Sequence, residues 1–316
     1  YGGGGDDFLS GGDGVDTLFG DAGNDVLFID NFDTASGGAG RDTVSYVGSG
    51  GMTFTFSADD GIEVAAGNAG NDIISAGGIS RAVEIYGNNG ADILSGGSGN
   101  DIISGGDGND TIFGGLGVDT LYGGAGNDQL NADSSDIVFG GIGFDTVNAE
   151  ASTIAAGFVF AVAGAEVEYI NGALGNDVIN ATGVTTSVTL VGFGGNDILT
   201  GGFGNDALYG GEGTDTLDGG ASADLLVGGD GNDIIGGGEA GDHLIGGAGN
   251  DTLTGGGGGD RFFFATGTGN DIVTDFNFDE GDLLDFTQVA GVEGTQQLSF
   301  AGSGDGVDII FSGGVL

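Results

Sequence analysis

The sequence predicts an all-β fold, a parallel β-roll or β-helix solenoid, and three observations predict it. Thirteen aspartates recur nine residues apart in two runs: Asp92, Asp101, Asp110, Asp119 and Asp128, then Asp197, Asp206, Asp215, Asp224, Asp233, Asp242, Asp251 and Asp260. Each closes a glycine-rich segment of the type Gly-Gly-x-Gly-x-Asp. Two places after each comes a large apolar residue: Leu94, Ile103, Ile112, Leu121 and Leu130, then Leu199, Leu208, Leu217, Leu226, Ile235, Leu244, Leu253 and Phe262. A fixed short period marks a solenoid, whose stacked units share one continuous core.

Each nonapeptide must make one turn and one short strand. The glycines of positions one, two and four allow left-handed backbone and close approach of carbonyls. Asn often fills position five (Asn100, Asn109, Asn127, Asn196, Asn205, Asn232, Asn250), and it is expected there for its tolerance of left-handed φ. Positions seven to nine extend, so their side chains alternate across the strand. The bulky residue at position eight faces inward, while positions seven and nine vary freely and face out.

The aspartates call for a cation. Stacking sets carboxylates of neighbouring turns near one another with glycine carbonyls between them, and such hard oxygen ligands suit Ca²⁺ and not Zn²⁺ or copper. Aspartates at matching places outside the two runs extend the candidate metal set to Asp7, Asp16, Asp25, Asp42, Asp72, Asp145, Asp177, Asp271 and Asp275. The nonapeptide pattern resembles the RTX (repeats-in-toxin, hemolysin-type) calcium-binding repeat, whose known signature it matches over more than half of the chain. That resemblance implies a calcium-loaded roll with ions between turns, each shared by two aspartates and loop carbonyls. It implies roughly 10–15 ions in all.

Composition sets further bounds. Net charge is −45, Lys is absent, and the only Arg residues are Arg41, Arg81 and Arg261. Such a chain repels nucleic acid and anionic membranes. About a dozen Ca²⁺ would cancel roughly half the charge, so folding and metal binding are expected to be coupled. Without calcium, a Gly- and Asp-rich acidic chain is expected to be disordered. With no Cys, disulfides cannot staple it. Collagen is excluded by the absence of Pro and of a three-residue Gly period. No apolar run is long enough to span a bilayer as a helix.

A longer repeat encloses the short one. Asp42-Thr43-Val44, Ile62-Glu63-Val64 and Gly70-Asn71-Asp72 reappear as Asp145-Thr146-Val147, Val167-Glu168-Tyr169 and Gly175-Asn176-Asp177. The duplicated unit is about 105 residues, a calcium-poor stretch followed by an RTX run. The organisation predicted is 1–28 as the end of a preceding run, 29–139 and 140–263 as the two long units, and 264–316 as a cap-like segment cut within a strand. The chain is thus expected to be a piece of a longer protein. The calcium-poor stretches are expected to continue the core without metal, or to offer a contact face, for which Ala156 to Ile170 is the better candidate. In the cap-like segment Asp271, Asp275, Asp279 and Asp282 are either ligands of a further ion or solvated turn residues.

No catalytic constellation emerges. The one histidine, His243, falls at an outward position seven, and a H-E-x-x-H zinc site needs two. No Gly-x-Ser-x-Gly elbow accompanies it. Fortuitous Gly-x-Gly-x-x-Gly matches carry no weight in so glycine-rich a chain. The expectation is an extracellular, non-enzymatic structural protein of surface-layer or adhesin type, whose expected partners are calcium and further copies of itself in a lattice or filament. The alternative is the secretion and folding module of a secreted metalloprotease, lipase, epimerase or toxin.

Overall fold

Nine residues carry the chain halfway round a circuit, so residues about eighteen apart stack. A computed structural model describes residues 1–48, 50–150, 157–162, 164, 166–265, 269–288, 298–303 and 306–312. The chain divides into two compact units, one of Tyr1–Glu150 with Ala165–Val167 and one of Ala151–Gly164 with Glu168–Leu316. All regular elements among the described residues are strands.

In the first unit alternate strands feed two sheets. One stacks Phe8–Ser10, Val26–Ile29, Thr43–Tyr46, Val64–Ala66, Glu84–Asn89, Ile102–Asp107, Thr120–Ala125 and Ile137–Ile142. The other includes Thr53–Thr55, Ile73–Ser75, Ile93–Ser95, Thr111–Phe113, Gln129–Ala132 and Thr146–Ala149, while Gly3–Gly4, Thr17–Ala22 and Thr34–Ala39 form a small sheet at the start. The second unit repeats the plan with strands such as Ala207–Glu212, Leu225–Asp230 and His243–Ala248 in one sheet. Its other sheet holds Thr216–Ala221, Ile234–Glu239 and Thr252–Gly257. The stack is parallel and in register, so that Leu208 lies beside Leu226 and Leu226 beside Leu244. Pairing turns antiparallel where Gly306–Ser312 meets Asn270–Val273 and Leu298–Ser303.

The inward residues of position eight fill the space between sheets. Leu94, Ile103, Ile112, Leu121 and Leu130 are fully buried, as are Leu208, Leu226, Ile235, Leu244, Leu253 and Phe262. Full burial of one such side chain contributes roughly 1.5–3 kcal/mol, which is less than the ordering of nine residues costs. The runs therefore need a second source of stability.

The calcium-poor stretches form further strands with a denser core. Met52, Phe56, Ile62, Ile79 and Val83 are buried in the first, and Thr53–Thr55 pairs in parallel with Ile73–Ser75. In the second, Phe158, Phe160, Val162, Val167 and Ile170 are buried and Val159 is exposed. Ala156, Ala163 and Ala165 lie outside the described residues. Among the described residues no helix is long and apolar enough to cross a membrane.

One expectation needs correcting. None of the Asn residues at position five is left-handed. They form ladders instead: Asn109 Oδ1 accepts the N–H of Asn127 at 2.8 Å, and Asn232 Oδ1 accepts that of Asn250 at 2.8 Å. The left-handed backbone falls on positions two and four, as at Gly229 (φ 116°) and Gly231 (φ 144°). A Cβ on Gly231 would overlap the carbonyl oxygen of Gly213 one circuit earlier.

Candidate metal centre

The turn brings each aspartate to the edge of the roll, directly in line with the aspartate one circuit away. The N–H of Asp92 donates to Oδ1 of Asp110, and the N–H of Asp110 donates to Oδ1 of Asp128, both at 2.8 Å. The sequence-predicted residues fall into columns built from this bond. Asp72, Asp92, Asp110, Asp128 and Asp145 form one, and Asp101 with Asp119 another. In the second unit the columns are Asp177, Asp197, Asp215, Asp233, Asp251 and Asp271, and Asp206, Asp224, Asp242 and Asp260. Asp7, Asp25 and Asp42 make a short column near the start, and Asp16 donates to Asp33. Asp275 stands apart, accepting the N–H groups of Gly255 at 2.9 Å and Gly256 at 2.7 Å.

Only half of each carboxylate is used by these bonds. Oδ2 is buried without a hydrogen-bond partner in Asp7, Asp25 and Asp42, in Asp92, Asp110, Asp119 and Asp128, and in Asp197, Asp215, Asp224, Asp233, Asp242, Asp251 and Asp260. A buried acceptor left so costs roughly 1–3 kcal/mol, more when charged. The same arrangement recurring turn after turn marks a place for a missing positive partner.

The first glycine of each turn keeps that place open. A Cβ on Gly123 would stand 2.5 Å from Asp128 Oδ2 and 2.5 Å from the carbonyl oxygen of Gly140 in the next turn. On Gly219 it would stand 2.6 Å from Asp224 Oδ2 and 2.5 Å from the Gly237 carbonyl oxygen. A carboxylate oxygen of one turn and a carbonyl oxygen of the next thus line one small gap. Among the described residues no three acidic, His or Cys side chains gather at one point. The donor set is carboxylate plus main-chain carbonyl, which fits Ca²⁺ and would not hold Zn²⁺.

Electrostatics agree. Burial pushes the carboxyls of Asp92, Asp119, Asp197, Asp224, Asp233 and Asp242 up to about 7 and that of Asp128 to about 6. Neighbouring carboxylates of the column add to the rise, and the N–H on Oδ1 offsets part of it. Asp110, Asp215, Asp251 and Asp260 move the same way, again chiefly through burial.

Some aspartates close on themselves. Oδ2 accepts an N–H from within the same turn in Asp72 (from Asn68, 2.9 Å), Asp101 (from Gly97, 2.7 Å), Asp177 (from Ala173, 2.6 Å) and Asp206 (from Gly202, 2.6 Å). Sequence reasoning missed Asp33 and Asp136 as column members. They accept from Asp16 and Asp119 on Oδ1, and from Asp30 and Asp133 on Oδ2. They come seventeen residues on, because their turns are short. The inward residues two places later, Ala35 and Val138, were the available signal. Asp282 ends its column likewise, accepting from Asp260 and from Asn277, while Asp279 lies in an exposed turn.

Each of the three arginines pairs with a carboxylate. Arg81 donates to Asp60 Oδ1 and to the Ile62 carbonyl oxygen, each at 2.6 Å, Arg41 pairs with Glu84 at 2.6 Å, and Arg261 pairs with Asp285. His243 is exposed on the outer face, edge-on to Phe263.

No curated protein matches this chain. The family model for the RTX calcium-binding nonapeptide repeat (4 copies) matches residues 1–28, 30–45, 57–78, 86–121, 105–136, 114–147, 132–152, 187–208, 209–242 and 236–273. These matches cover most of the chain and all of the columns except Asp177 and Asp282, and RTX repeats of this kind bind Ca²⁺ in multiple sites. Columns of half-used carboxylates, glycine gaps and the repeat itself agree: the chain belongs to the RTX calcium-binding nonapeptide repeat family.

Proposed function

We propose that this chain is an extracellular structural segment, secreted by a type I route and serving at the cell surface as part of a surface layer or adhesin. The supporting observation is the duplicated unit of about 105 residues, in which a densely cored calcium-poor stretch is followed by a calcium-binding run. Duplicating such a unit lengthens a stack without creating a new site. In low cytoplasmic calcium, repulsion among the carboxylates keeps the runs open, and outside the cell millimolar calcium discharges and orders them. Light scattering in chelator and in millimolar calcium tests the surface role. Regular assemblies formed only with calcium support it, and a monomer that merely compacts removes it.

A second reading is favoured by the segment after Phe263, in which parallel stacking gives way to the antiparallel pairing of Gly306–Ser312 with Asn270–Val273. A solenoid needs such a cover over its last layer. An RTX module serving the secretion and folding of an enzyme or toxin would carry one. A compact calcium-bound monomer in the same experiment is its expected result.

A further inference from the structure

The columns do not begin as they continue. Asp72, Asp101, Asp177 and Asp206 are the first carboxylates after a calcium-poor stretch. The N–H groups donated to their Oδ1 atoms come from Met52, Val83, Phe158 and Val188, and not from another aspartate. In all four, Oδ2 accepts an N–H from the second residue of its own turn. The backbone differs to match. In the turn ending at Asp110, Gly106 and Gly108 are left-handed (φ 115° and 137°), whereas in the turn ending at Asp101 neither Gly97 nor Gly99 is.

An N–H aimed at Oδ2 satisfies the oxygen that stays bare in Asp92, Asp110, Asp197 and Asp215 and sets a positive dipole where a cation would have to lie. The turn sequence does not dictate the choice. Gly96–Asp101 and Gly105–Asp110 both read Gly-Gly-x-Gly-Asn-Asp. What differs is the layer before: it carries no aspartate in line with the column, and the turn stacked on it folds onto its own carboxylate.

Those preceding layers carry what the runs lack. Several large side chains are buried per circuit, including Met52, Phe56 and Ile62 in the first stretch and Phe158, Phe160 and Val162 in the second. In the first, a guanidinium stands in for an ion: Arg81 bridges Asp60 Oδ1, the Ile62 carbonyl oxygen and, at 3.2 Å, the Ser57 carbonyl oxygen.

We propose that Asp72, Asp101, Asp177 and Asp206 take no calcium but close the first turn of four columns on their own main chain, so that each calcium-poor stretch is a metal-independent seed on which the calcium-filled turns are built. The inference rests on RTX calcium binding and not on the surface role.

Two measurements on the intact chain test it. The first is peptide-resolved hydrogen–deuterium exchange in excess chelator. Peptides within 52–86 and 158–190 are expected to exchange at least about tenfold more slowly than those within 105–130 and 207–260. Equally fast exchange everywhere overturns the seed and leaves calcium-coupled folding standing. Equal protection everywhere overturns both. The second is the ion count by native mass spectrometry in calcium. Asp206→Asn is expected to hold as many ions as the parent and Asp215→Asn fewer, and an equal loss from both overturns the assignment. Circular dichroism in saturating calcium confirms that each variant is folded before its ions are counted.

Discussion

The main-chain N–H of Asp215 donates to Oδ1 of Asp233 at 2.8 Å, while Oδ2 of Asp233 is buried and meets no donor. The first bond holds the carboxylate in place and the second oxygen is left for calcium. Asp233→Asn keeps an acceptor for the Asp215 N–H and removes the charge. It is expected to raise the calcium concentration at half-loading by about tenfold, the order of effect when a metal site loses a supporting group. Asp7→Asn, in a partly exposed first turn, is expected to do much less. Equal shifts, read by isothermal titration, would show that the long columns are not the better sites.

Acid should substitute for calcium in part. Carboxyls such as Asp197 and Asp233 rise from an ordinary 3.8 to about 7 in the metal-free fold, chiefly through burial. A group raised by folding stabilises the fold fully below its unfolded value, and that contribution is lost as pH climbs through the folded one. Calcium-free strand content is therefore expected to be greater near pH 5 than near pH 8, and calcium uptake below about pH 7 should release protons. Circular dichroism and pH-stat titration read these two effects, and a flat profile would contradict them.

Adjacent isoleucines separate core from surface. Ile235 is fully buried between the sheets, whereas Ile234 points outward and is 56% exposed. In saturating calcium Ile235→Ala is expected to cost roughly 2–5 kcal/mol, and Ile234→Ala no more than about 0.5 kcal/mol. Denaturant unfolding gives both values, and comparable losses would mean the strand is in the wrong register.

Gly231 tests the turn. Its φ of 144° and its closeness to the Gly213 carbonyl oxygen leave no room for a methyl group. Gly231→Ala should cost more than the roughly 1–2 kcal/mol of left-handed backbone alone, because the stack must also part. An unchanged calcium titration by circular dichroism would rule out this close stacking.

The fold was legible because its period is short and strict. Leu226 and Leu244 sit eighteen residues apart in the sequence and side by side in the sheet. The stacked aspartates were legible as candidate cation ligands from their residue type and nine-residue spacing. Two things were not. Asp33 and Asp136 lay hidden because short turns bring them in one residue early. The difference between Asp101 and Asp110 was hidden because their turns share one pattern, and the outcome depends on a layer some twenty residues earlier. Asn at position five was misread since its side chain, and not its backbone, is what the stack uses.

Every link in these columns points one way, from the amide of an earlier turn to the carboxylate of a later one. Each column is therefore polar, with its donors facing one way and its acceptors the other. Two copies joined by the same link could meet only head to tail, and a two-fold axis would bring like ends together. Association through this bond leads to open-ended growth, and a closed dimer has to be built from some other surface.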